Sequence, residues 1–391
     1  MLQAESSEGN LITLVKLTRK EIEREREGHL FYCPSCREEV IIKAGSKIIP
    51  HFAHKSAQYC PSSEGGEGPY HEKGKLLLYR WLKKQQLQVE LEAYVPEIHQ
   101  RPDLLLRIND KKIAIEYQCA RIPISQVIQR NEGYKTLGIT PIWILGAGRF
   151  KRQTKDHFKV DQFTLQFIHM FTSFYPPTLF YFCPDKHQFA IIQDMYFSKM
   201  SQVISKCSIF SLKTCKFTDL FHQHTFLPFH LYQLWGKEKR DFRLRPKRHL
   251  YGEELKWHQW LYLKRTMVEC LPSIIHLPVA AQYRMKTPLW NWQSRLIIDL
   301  LHPIPLHGHF SIHSCKNIIK NHFYHTHHFP LIHSTDCPVY QYLQLLKKLN
   351  IIKQQSSNVF QKIKPILFYK NIEKAIQGDE ALIKYLQNLP I

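Results

Sequence analysis

Two short apolar runs rich in β-prone residues, 104–108 and 111–117, flank the polar pair Asn109-Asp110 in the stretch RPDLLLRINDKKIAIEYQ. Such a pair suits a two-residue hairpin loop with positive φ, so the runs are expected to be antiparallel strands. The loop fixes the register. Ile108 faces Lys111, Arg107 faces Lys112, and continuing outward Asp103 lies opposite Glu116. Side chains alternate along a strand, so Gln118 shares the face of Glu116. Before the hairpin, Leu76, Leu77, Tyr79, Trp81 and Leu82 recur at helical spacing and predict a helix over 70–85, with Glu72 and Lys75 about one turn apart. LQVELEAYVPE alternates as a strand. After the hairpin, residues 124–137 suit a helix stopped by Gly138, and ITPIWILG a buried strand, giving the order αβββαβ. Nearer the start, residues 11–17 read as a strand and TRKEIEREREG as a short helix with a Thr18–Glu21 capping box. Beyond residue 150, aromatic, β-prone segments up to about 225 predict an extension of the sheet. From about 250 the pattern turns helical, and 339–349 with 372–391 suit a small bundle.

The 391 residues, 44% of them hydrophobic, allow two or three domains. SSEGGEG, residues 62–68, is a linker by composition and separates a module over 1–65 from a unit over 66–150; a region over 151–391 follows. No apolar run approaches the roughly 18 residues needed to cross a bilayer, and the first residues lack the pattern of a signal peptide, so a cytoplasmic protein is expected. Ten cysteines in that setting should be thiols or metal ligands.

The formal net charge of +21 is unevenly placed: residues 1–150 hold 22 Lys and Arg against 18 Asp and Glu, and residues 151–391 hold 32 against 15. Such basicity suits nucleic acid phosphates, with salt-dependent binding. The most basic stretch, 235–254, offers Lys237, Lys239, Arg240, Arg243, Arg245, Lys247 and Arg248 between aromatic residues, as a DNA contact or as an exposed linker. Nine histidines within 302–333 have no standard structural-zinc spacing and read as polar, aromatic surface.

Cys33 and Cys36 have the spacing that points two thiolates at one ion, and His51, His54 and Cys60 follow. Five candidates compete for four tetrahedral places. The expected ligands are Cys33, Cys36, His51 and one of His54 or Cys60, holding Zn²⁺ in a small ribbon-like hairpin formed by VIIK and KIIPHF.

Asp103 and Glu116, opposed about 5 Å apart, would repel unless a cation lies between them, most simply a divalent metal on oxygen ligands. Pro102-Asp103 followed by Glu116-Tyr117-Gln118 resembles the motif of the PD-(D/E)xK nucleases, with Gln in place of the final Lys. Together with Cys33-x-x-Cys36, the HFAH element and the basic region with its WxWQ element, this arrangement resembles the CoiA family of bacterial competence proteins over most of the chain. The resemblance implies an α/β protein: a PD-(D/E)xK nuclease-like core, an N-terminal zinc-ribbon-like module and a basic, mainly helical C-terminal region. It implies Glu72, Asp103, Glu116 and Gln118 as the catalytic set, with Asp103 and Glu116 holding Mg²⁺ or Mn²⁺, and Arg130 on the scissile phosphate. Implied partners are DNA, expected single-stranded, and the recombinase machinery of transformation. The Gln118 departure leaves two readings: a metal-dependent nuclease in which Lys75 or Lys135 supplies the cation, or a non-catalytic DNA-binding recombination accessory on a nuclease-derived fold.

Overall fold

The protein is described by a computed structural model covering residues 1–45, 48–55, 60, 68–244 and 250–389. At the start, β1 (Gln3–Ser6), β2 (Leu11–Thr13), β3 (Phe31–Tyr32), β4 (Glu39–Lys43) and β5 (His51–His54) form a five-stranded sheet in the order β2-β1-β3-β4-β5, with α1 (Arg19–Gly28) inserted between β2 and β3. The strand expected over 11–17 is shorter, since Leu14–Lys16 turns into a 3₁₀ helix. The capping box forms as its residues dictate: Glu21 Oε2 accepts from Thr18 N at 2.6 Å and Thr18 Oγ1 accepts from Glu21 N at 3.4 Å.

The next elements appear in the expected order: α2 (Pro69–Lys84), β6 (Gln88–Leu91), β7 (Leu104–Ile108), β8 (Lys111–Gln118), α3 (Ile124–Thr136) and β9 (Thr140–Gly146). Pairing of β7 with β8 runs from Ile108↔Lys111 to Leu104↔Ile115, the register set by Asn109, whose φ of 52° supplies the left-handed turn. β8 and β9 are parallel, as the α3 crossover between them requires. The sheet then continues well past residue 150. β10 (Lys151–Arg152), β11 (His157–Lys159), the short α4 (Gln162–Leu165), β12 (Thr178–Cys183), β13 (Gln188–Phe197) and β14 (Gln202–Ser211) complete nine strands in the order β10-β11-β14-β13-β12-β9-β8-β7-β6.

Both sheet faces are buried, which explains why the central strands read as continuous apolar runs. On β9, Ile142 and Ile144 pack with Trp81, Leu82 and Tyr117 on the α2 side, while Trp143 and Leu145 pack with Trp235, Ile275 and Leu289 from the C-terminal region.

That region comprises α5 (Pro228–Leu244), α6 (Gly252–Leu263), α7 (Leu289–Arg295), β15 (His309–Ser311), α8 (Ile312–Ile318), α9 (Pro338–Lys348), β16 (Ile352–Gln354), β17 (Val359–Lys362) and α10 (Ile372–Gln387). It is helical with a small sheet, β15-β17-β16, and α7 runs on as a π-helical turn over Leu296–Leu301. Helix begins earlier than the pattern suggests, because α5 already takes in much of the basic stretch and packs against α10. No described helix is long and apolar enough to cross a membrane.

Candidate active site and metal centre

The hairpin brings Asp103 and Glu116 together at the end of β8. Asp103 Oδ2 accepts from the Tyr117 backbone N at 2.8 Å, and Asp103, Glu116 and Gln118 are all buried. α2 crosses this end of the sheet at very close range. A Cβ on Gly74 would stand 2.1 Å from the Tyr117 ring, so only glycine lets the helix approach and carry Glu72 and Lys75 into the site. Glu72 is accordingly buried, as is Lys75 completely.

Lys75 brings a buried cation to the acids. Its Nζ lies 2.5 Å from Glu92 Oε1, 3.2 Å from Glu72 Oε1 and 3.6 Å from Asp103 Oδ1. Gln118, expected in the catalytic set, turns its amide to the Ala120 carbonyl at 2.9 Å, and Lys135, the other candidate, is exposed on α3. The expected bare repulsion between Asp103 and Glu116 is therefore tempered by cations. Lys75 and His71 approach Asp103, and Arg130 Nη2 lies 2.5 Å from Glu116 Oε1. Tyr134 donates to the same Glu116 oxygen, and Arg130 also reaches the Arg101 carbonyl at 3.2 Å. Instead of standing free for a phosphate, Arg130 holds an acid.

Four carboxylates, Glu72, Glu92, Asp103 and Glu116, thus meet three permanent cations, Lys75, Arg101 and Arg130. Burial first, and then the charge of Asp103, push the Glu116 carboxyl well above its usual range, against the hydrogen bond from Tyr134. The four carboxylates outnumber the three permanent cations, and an added cation would favour the ionised form of Glu116.

Glu92 is invisible to sequence reading. It follows Gln88–Leu91, whose alternation puts Gln88 and Glu90 outward, so Glu92 reads as one more solvent-facing acid; its φ of 50° breaks the alternation and the residue is buried. Its Oε2 also accepts from Leu2 N at 2.7 Å and Gln3 N at 3.3 Å, which ties the N-terminal sheet to the site. No signal in one sequence marks that contact. His71, whose ring stacks on Tyr117 at 5.6 Å, is a site residue that its place beside Glu72 in the sequence could have flagged.

Among the described residues, one group of side chains brings metal-ligating atoms within 4.8 Å of one another: Cys33, Cys36, His54 and Cys60. The Cys33 and Cys60 sulfurs are 3.8 Å apart, and Cys36 Sγ is 3.3 Å from His54 Nε2. Arg37, at φ 62°, turns the chain so that Cys33 N reaches the Glu38 carbonyl and both thiols point the same way. Burial pushes the Cys36 thiol up to about 12. His51, expected as a ligand, is not in the group. Three residues along a strand place it roughly 10 Å from His54 and on the opposite face, where it pairs with Lys43 and its Nδ1 meets the Ile49 carbonyl at 2.9 Å.

The basic stretch divides. Lys237 and Arg240 are exposed on α5, Arg240 3.4 Å from Glu380. Lys239 and Arg243, also expected on phosphates, are buried around Asp379 and closed to a ligand. Arg245, Lys247 and Arg248 lie outside the described residues.

Comparison with known proteins adds three family matches that together run along most of the chain. They are the N-terminal domain of competence protein CoiA over residues 14–63, its nuclease-like domain over 67–225 and its C-terminal domain over 231–376. Competence protein CoiA of Bacillus subtilis (strain 168) is 29% identical over 363 residues, covering 90% of this chain and 94% of that protein. No solved structure matches.

Proposed function

Because the chain belongs to the CoiA family of competence proteins, with a nuclease-like domain, we propose that it is a metal-dependent deoxyribonuclease processing incoming DNA in the cytoplasm during natural transformation. The observation that carries this reading is Lys75, a fully buried ammonium held between Glu92, Glu72 and Asp103 beside Glu116. It stands in for the lysine that Gln118 replaces. Asp103 and Glu116, with the Tyr117 carbonyl, offer the hard oxygen donors suited to Mg²⁺ or Mn²⁺, and the excess of carboxylates over cations fits a divalent ion. Bound there, such an ion polarises a phosphodiester oxygen and lowers the pKa of the attacking water. The chain's own groups do the rest. Glu72 and Glu92 fix the Lys75 ammonium, which orients the water and offsets charge developing on the phosphate. Arg130 and Tyr134 hold Glu116 in one rotamer. Lys237, Arg240 and the neighbouring Arg245, Lys247 and Arg248 supply phosphate contacts outside the site, and the recombinase machinery would receive the product.

Cys33, Cys36, His54 and Cys60 would hold Zn²⁺, whose borderline-soft character suits three thiolates and an imidazole. None of the ten cysteines is in a disulfide. Metal analysis checks the ligand set: His51→Ala should keep about one equivalent of zinc and Cys60→Ala should lose it.

Gln118, bonded to Ala120 instead of facing the acids, favours the second reading, a non-catalytic DNA-binding recombination accessory. Incubation of the purified protein with labelled single- and double-stranded DNA, with Mn²⁺ or with chelator, separates the two. Cleavage that requires the metal selects the enzyme; binding without cleavage selects the accessory.

A further inference from the structure

Where the chain leaves β8, Arg121 and Ile122 form one wall of an open cavity of about 450 Å³, close to Gln118 in sequence. The opposite walls are Phe163 and Gln166, at and just after α4, and Tyr324 and Phe329 from the histidine-rich segment. Three aromatic rings, Phe163, Tyr324 and Phe329, line the cavity. Tyr324 and Phe329 lie 6.0 Å apart edge to face, and Phe163 is covered by the Arg149 guanidinium at 4.8 Å and that of Arg121 at 5.9 Å. Its acid, Asp161, is already occupied: it caps α4 through Thr164 N and lies 2.8 Å from Arg121. Gln166 is only 4% exposed, yet its Oε1 has no hydrogen-bond partner among the described residues. An amide oxygen left so is destabilising, and a donor on a bound molecule would satisfy it once the Gln166 side chain turns into the cavity. Tyr324 and Phe329 also line a second cavity of about 580 Å³, whose rim carries Arg284, Lys316 and Lys320. The histidine-rich segment packs on α3, the helix that presents Arg130 to Glu116.

We propose that the first cavity takes one unpaired base of the nucleic acid strand being processed, with the strand's phosphates running on over Lys316 and Lys320. Aromatic walls bind the ring faces, Gln166 accepts from an exocyclic or ring N–H on the base edge, and the cations meet the backbone. In a duplex the ring faces are covered by neighbouring bases, so these walls select a strand with bases unstacked. This inference rests on the nuclease reading only for the identity of the strand.

Fluorescence anisotropy in the presence of chelator tests it, using a labelled single strand of roughly 15 nucleotides and an abasic strand of the same length. The parent protein should bind the abasic strand at least about 5-fold more weakly, the low end for loss of one stacked base. Tyr324→Ala and Gln166→Leu should narrow that gap to under about 2-fold. Both should leave affinity for the abasic strand unchanged, which also shows that they fold. Equal binding of the two strands by the parent, or an undiminished gap in both variants, overturns the proposal. So does displacement of the strand by micromolar adenosine monophosphate, which would assign the cavity to free nucleotides. Chelator suppresses any metal-dependent cleavage here, so the binding result is independent of the separate cleavage assay with Mn²⁺: no cleavage there would sink the nuclease reading while leaving this result standing, and the reverse also holds.

Discussion

Lys75 and Lys239 are both fully buried lysines, and their surroundings could hardly differ more. Lys239 Nζ lies 2.7 Å from the Ser273 carbonyl, 2.8 Å from the Ile275 carbonyl and 3.3 Å from Asp379. Arg243 beside it grips Asp379 with Nε at 2.8 Å and Nη2 at 3.1 Å, and also donates to the Val268 and Leu271 carbonyls. Two cations share one carboxylate there, and backbone oxygens meet the remaining donors. Burial lowers Lys239 to about 8, while the cations hold Asp379 below its usual range despite its own burial. That cluster joins α5 to the loop after α6 and to α10, and it is complete. Lys75, by contrast, meets three carboxylates, with Glu116 nearby as a fourth acid in the cluster. A saturated cluster fixes a fold; one with surplus negative charge is equipped to take a cation. The contrast lies in the partners and not in residue type, since both are lysines.

The largest expected effect lies in the saturated cluster. Arg243→Met leaves Asp379 with Lys239 alone and the Val268 and Leu271 carbonyls unmet, and should cost about 3–5 kcal/mol in urea unfolding, the range for removing one partner of a buried pair. If the destabilisation stayed below about 1 kcal/mol, the network would be incidental to the fold and the comparison would collapse.

A smaller effect should appear as a pH dependence at the acid-rich end. A carboxyl whose folded pKa is raised holds its proton more tightly when folded. Its contribution is most favourable below the unfolded value of about 4.5 and is lost as pH rises through the raised value. Glu116→Gln should therefore gain on the parent by about 1.4 kcal/mol for each unit of elevation as pH climbs from about 4 towards 8. A stability difference that is flat with pH, or that moves in the parent's favour, would show Arg130 to outweigh burial.

The smallest effect concerns the exposed part of α5. Neutralising Lys237 and Arg240 should leave stability within about 0.5 kcal/mol, since exposed charges contribute little. It should flatten the salt dependence of DNA binding by roughly one unit of log–log slope for each phosphate that these side chains neutralise in the parent. An unchanged slope would assign this face of α5 to solvent.

How much of this is legible in the sequence follows the range of each cue. The β7–β8 register is readable because an Asn-Asp loop and period-two alternation are local, and they place Asp103 against Glu116 without any tertiary information. The capping box of α1 is legible for the same reason. Glu92 is not, because it depends on a left-handed backbone at a strand end, and Lys75 is legible only as one of two candidate lysines, because its approach depends on how closely α2 can pass through Gly74. His51 is misplaced because three residues along a strand reverse the face, so only one of His51 and His54 can turn towards the cysteines, and spacing does not say which. Lys239 and Arg243 read as surface because the acid that binds them both lies about 140 residues away in α10.

Single-turnover cleavage of labelled single-stranded DNA with Mn²⁺, compared between Lys75→Met and Gln118→Ala, tests the central claim most directly. Thermal melting checks that each variant is folded. The account predicts that Gln118→Ala cleaves within about 3-fold of the parent. It predicts that Lys75→Met loses about 100-fold or more, the scale of removing one charge-stabilising group from a reacting centre. A Lys75→Met variant that melts like the parent and cleaves at the parent's rate, with Gln118→Ala inactive, would contradict it and return the chemistry to β8.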